Sequence, residues 1–92
     1  MTHFIRFGRE TIADCDTSAD DLHVVVLVKP LWTLLLSRPP ETHSSLIEDF
    51  GRLQELRGEY HEGIRDPATP SRFTENRFRE LCKKHDLQYC VD

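Results

Sequence analysis

The sequence predicts an α+β fold, an antiparallel sheet of three to five strands with two helices packed on one face, on three observations. Short β-branched and aromatic runs separated by turn residues make residues 1–38 mostly strands. Apolar residues recur every three or four positions over 44–64 and again over 74–85, which is helical spacing. A last strand-forming run, 87–91, follows the second helix. With 92 residues, 38% of them hydrophobic and 30% charged, the chain forms a single small domain, 1–92, with no room for a second core.

Phe4-Ile5-Arg6-Phe7 and Thr11-Ile12-Ala13 flank Gly8-Arg9-Glu10, the pattern of a short hairpin. Asp14 to Asp21 is a polar turn that holds the carboxylates of Asp14, Asp16, Asp20 and Asp21. Leu22 to Val28 is β-branched without a helical period, so it predicts a strand buried on both faces and central in the sheet. Pro30, lacking an N–H, ends that strand or marks a bulge. Leu31 to Leu36 then returns as another strand, with a short helix as the alternative, and Pro39-Pro40 closes the β half.

Ser45 with Glu48 three residues on has the form of a capping box. Leu46, Phe50, Leu53, Leu56, Tyr60 and Ile64 then make one apolar stripe, opposite Glu48, Glu55, Glu59 and Glu62. Gly58 predicts fraying of the helix beyond it. Arg57 falls inside the stripe, where an arginine must snorkel out or meet an acid; a structural ion pair is the favoured reading. Asp66-Pro67-Ala68-Thr69-Pro70 reads as a rigid linker. Thr74 caps the second helix, with Phe73 and Phe78 as a hydrophobic staple, and Phe78, Leu81, Cys82 and His85 share its buried face.

The chemistry-bearing motifs are sparse. Cys82, His85 and Cys90 offer soft zinc ligands, but paired C-x2-C knuckles are absent, and a thiol and an imidazole lining a core is the plainer reading. Cys15 stands between Asp14 and Asp16, a field that opposes thiolate formation. Asp14-x-Asp16 lacks the glycine and glutamate of a calcium loop, and no glycine-rich phosphate loop occurs. His43 beside Ser44-Ser45 is explained by a helix start. The reading is therefore of a non-enzyme with no cofactor and no metal.

Charge is the distinctive feature. Residues 1–71 hold seven Lys/Arg against twelve Asp/Glu, whereas 72–84 hold five Lys/Arg against two Glu, in a chain of net charge −4. Helix pairing and the helix dipole account for Arg79, Lys83 and Lys84, leaving Arg72 and Arg77 as the arginines expected to touch an anion. The candidate partner-binding residues are Arg72, Arg77, Arg79 and Lys83, together with the carboxylates Glu48, Glu55, Glu59 and Glu62 that can occupy a basic groove. The broken apolar run 22–36 does not span a bilayer, and three odd cysteines suit a reducing compartment, so a cytoplasmic protein without a membrane role is expected.

In size, acidity and lack of catalytic motifs the chain resembles small phage-encoded inhibitors of the anti-CRISPR kind. The resemblance lies in general character, with no motif matched. It implies an inhibitor in the host cytoplasm that docks on a nucleic-acid-handling or ribonucleoprotein complex and blocks nucleic-acid binding. The alternative is a small nucleic-acid-binding regulator that contacts RNA or DNA through the basic helix. A domain of this size also gains from further burial, so a homodimer is open to it.

Overall fold

A computed structural model describes residues 1–17, 22–64 and 70–92. Strand β1 (Thr2–Phe7) turns back into β2 (Glu10–Asp16) through Gly8 and Arg9. Gly8 supplies the turn's positive φ of 62°, which costs glycine nothing. Ile5 pairs with Ala13 and Arg6 with Thr11, so Ile12 is an extra residue in β2. That bulge is why Ile12 and its neighbour Ala13 are both fully buried, where strict alternation would expose one of them.

Strand β3 (Val24–Val26) pairs antiparallel with β2, and β4 (Gln88–Val91) with β1, giving the strand order β3-β2-β1-β4. The α+β fold and its antiparallel sheet are therefore as the sequence predicts. Cross-strand register puts His3, Ile5, Ala13, Cys15, Val24 and Tyr89 on one face, which the helices cover. Asp14 and Asp16 belong to β2 rather than to a polar turn, and Asp20 and Asp21 lie outside the described residues.

The valine run is corrected in place and length. It pairs over three residues only, at the edge of the sheet rather than its centre, and Val25 is 39% exposed. The reason lies just downstream. Leu27 donates one more backbone bond to Ile12, and the chain then enters helix α1 (Val28–Ser37). Pro30 sits in the first turn of α1, where no intrahelical N–H is needed, so it opens a helix instead of ending a strand. Leu31–Leu36 is thus helical, not a returning strand; Leu34 and Leu35 are buried and Leu31 packs beside them.

A 3-10 turn (Pro40–Thr42) leads into α2 (His43–Leu53), which starts before the expected cap. Ser45 lies inside the helix and Glu48 pairs with Arg52, so the capping box does not form. The helix expected over 44–64 also breaks after Leu53, earlier than Gly58. Gln54 and Glu55 bond three residues back, to Gly51 and Arg52, and this tight turn leads into α3 (Leu56–Glu59) and a π-helical turn (Tyr60–Ile64). The apolar stripe survives the break: Leu46, Phe50, Leu53 and Leu56 are buried, and Tyr60 packs 5.5 Å from Phe73. Arg57 emerges exposed rather than inside the stripe.

Helix α4 spans Pro70–His85, starting four residues before Thr74. Proline at the first helical position loses no bond it would have made. Thr74 is consequently buried in the second turn, its hydroxyl donating to the Pro70 carbonyl at 2.9 Å, and it caps nothing. Phe73 and Phe78 lie within the helix and in the core, not astride its start. The helix ends on Asp86 at φ 55°, and Leu87 N–H donates to the Cys82 carbonyl at 2.9 Å. This left-handed cap turns the chain sharply into β4. The expected linker falls outside the described residues up to position 69.

Candidate docking surface

The basic helix divides into two flanks and an outer face. Arg72, Asn76, Arg79 and Lys83 are spaced by three and four residues, so they form one stripe, and all four are exposed. Arg79 donates to Glu75 at 2.9 Å and lies 4.7 Å over the Tyr89 ring, which fixes its guanidinium beside edge strand β4. Lys83 projects from the last turn, where a cation also complements the helix dipole.

Arg77 belongs to another surface. It lies 3.5 Å from Glu59 and 3.9 Å from Glu80, with its guanidinium 5.3 Å above Phe73. The structure thus joins two residues that the sequence assigned to opposite docking patches, and their charges neutralise each other. They line a groove of about 250 Å³ between α4 and the α2–α3 segment. Deeper along it, Asp49 accepts hydrogen bonds from His85 at 2.6 Å and Lys84 at 2.9 Å. Burial would raise the Asp49 carboxyl, but these hydrogen bonds and the charges of Lys84 and His85 outweigh it and hold it low.

The acidic ridge does not survive as a row. Glu48 is tied to Arg52, Glu55 stands at the break before α3, Glu59 is committed to Arg77, and Glu62 is exposed in the π-helical turn. Glu62, Arg57, His23 and His61 line a second groove beside the start of β3.

A polar cluster that the sequence left unmarked lies under the N-terminus of α4. His3 is fully buried; its Nδ1 and the Tyr89 hydroxyl share a 2.7 Å hydrogen bond. Its Nε2 lies 3.1 Å from the Ser71 hydroxyl and 3.3 Å from that of Thr17. Burial pushes the imidazole below its ordinary value, with Glu75 opposing and the N-terminal ammonium reinforcing the shift. The cluster satisfies both ring nitrogens and ties β1, β4 and α4 to Thr17, just beyond β2. Its only sequence signal is His3 standing in alternation with the core residue Ile5 and the partly buried Phe7.

The cysteines are free thiols. Burial raises Cys15, with Thr74 and the His23 backbone opposing; Asp14 and Asp16 add less than burial does. Cys82 is pushed up to about 11, chiefly by burial. His85, read as a possible zinc ligand with Cys82 and Cys90, is instead bound to Asp49. Among the described residues no three His, Cys, Asp or Glu side chains converge to hold a metal ion, and no helix is long and apolar enough to cross a membrane. No protein-family model, curated protein or solved structure matches the chain.

Proposed function

We propose that this protein is a non-catalytic binding module that docks through the outer face of α4 on an anionic surface of a nucleoprotein complex. The observation that carries this reading is the exposed stripe Arg72-Asn76-Arg79-Lys83, three cations flanked by Glu75, on a chain of net charge −4. A concentrated basic stripe on an acidic body orients a protein toward an anionic patch and repels it from uniformly negative surfaces. Arg77 and Glu59 leave the proposed interface, since their pair lies in the groove between α4 and the α2–α3 segment rather than on the outer face of α4. Glu55 and Glu62 are exposed and remain available to a basic part of the same partner. Docking there in the cytoplasm inhibits the complex by covering its nucleic-acid site, in the manner of the small phage-encoded inhibitors it resembles.

The experiment is capture from the native host with the wild-type chain and with Arg72→Glu/Arg79→Glu/Lys83→Glu. The wild type should retain a nucleoprotein complex, lower its nucleic-acid binding when added back, and lose both effects in the variant. Equal capture by the folded variant refutes the role of α4. The same stripe favours a second reading, direct nucleic-acid binding. That reading requires the purified chain alone to bind RNA or DNA with an affinity that falls as salt rises.

A further inference from the structure

Helix α1 is apolar over more of its circumference than the core uses. Leu31, Leu34 and Leu35 face the sheet, while Val28, Trp32 and Leu36, each four residues on, form a second stripe that is 64%, 60% and 81% exposed. The helix leaves the end of β3 and packs on β2, and Arg38 just beyond it stacks 5.4 Å over Phe7 at the end of β1. We propose that this stripe is the interface of a two-fold homodimer, in which α1 packs antiparallel against α1 of a second copy.

Three features select a second copy as the occupant. The first is symmetry: Trp32 is central, so a two-fold axis beside it lays Trp32 near Trp32 and the smaller Val28 near Leu36. The second is charge. Lys29 is the only charged residue between Val24 and Ser37, so self-pairing sets no row of like charges together. The third is area. Val28, Trp32 and Leu36 present about 390 Å² of surface, most of the about 500 Å² that is the apolar share of a standard homodimer interface per partner. The inference uses a face remote in sequence from the α4 stripe and stands independently of the docking reading. If both hold, the dimer carries two copies of that stripe.

Trp32 is the only tryptophan in the chain, so its emission reports this face alone. Sedimentation velocity and Trp32 fluorescence are measured on the wild-type chain from micromolar to millimolar concentration. The expected result is a concentration-dependent dimer, with emission shifting to the blue in step with the dimer fraction. Leu36→Glu should weaken dimerisation at least about tenfold and retain the wild-type circular dichroism. A wild type that stays monomeric throughout overturns the proposal. So does a dimer whose Trp32 emission stays that of a solvated indole, a result that stands without the variant, or a Leu36→Glu chain that dimerises as the wild type does.

Discussion

Asp49 is the contact through which α2 holds the C-terminal turn of α4, and replacing it with asparagine tests that clasp quantitatively. The carboxylate is 14% exposed and the His85 side chain 8%, so their 2.6 Å hydrogen bond is shielded from water. A hydrogen bond to an ionised group contributes about 1.5–3 kcal/mol and one between neutral groups about 1 kcal/mol, so loss of charge here costs about 1 kcal/mol. Lys84 is 58% exposed, which limits its share to roughly 0.5–1 kcal/mol. Asp49→Asn is therefore expected to lose about 2 kcal/mol at neutral pH, a fall in Tm of about 10 °C for a domain of this size. The pH dependence carries the sign. The folded carboxyl lies below its ordinary 3.8, so the unfolded chain takes up the proton first as pH falls. The clasp is complete above about pH 5 and is lost as pH falls through the lowered value. Calorimetric melts of both chains from neutral pH downward should show the Tm gap closing on the acid side. A variant that melts with the wild type at neutral pH, or a gap unchanged through the acid range, refutes the clasp.

Further outcomes follow from the cap, the buried histidine and α1. Asp86→Gly removes the left-handed penalty at the end of α4 and should raise stability by about 0.5–1 kcal/mol, read from denaturant midpoints at constant m. His3 has a lowered folded pKa, so its contribution is full above about 6.5 and declines as pH falls below that value. Denaturation between pH 6.5 and 5 should show that slope in the wild type and lose it in His3→Gln; an identical slope assigns it to another group. Charge at Leu36 should dissociate the proposed dimer while preserving the fold, as sedimentation measures.

What was legible in the sequence depended on how far apart the interacting residues lie. The hairpin at Gly8 and the stripe Leu46-Phe50-Leu53-Leu56 are local patterns, and they hold even where the α2 helix breaks. The prolines were ambiguous. A missing N–H is equally compatible with the end of a strand and the first turn of a helix, and Pro30 and Pro70 both take the helical option. At the candidate surface, the Arg79–Glu75 pair and the exposed α4 stripe follow from helical spacing. The Arg77–Glu59, His85–Asp49 and His3–Ser71 contacts join residues 18, 36 and 68 positions apart, and no local spacing announces them. Helical spacing alone therefore leaves Arg77 without a match, whereas the fold pairs it with Glu59.

The docking account is tested most directly by the affinity of the purified chain for its captured complex, measured by titration calorimetry across a range of salt. The account predicts affinity that weakens as salt rises and falls at least about tenfold in Arg72→Glu/Arg79→Glu/Lys83→Glu, a variant that keeps the wild-type circular dichroism. Affinity that is independent of salt and unchanged in that variant would contradict it.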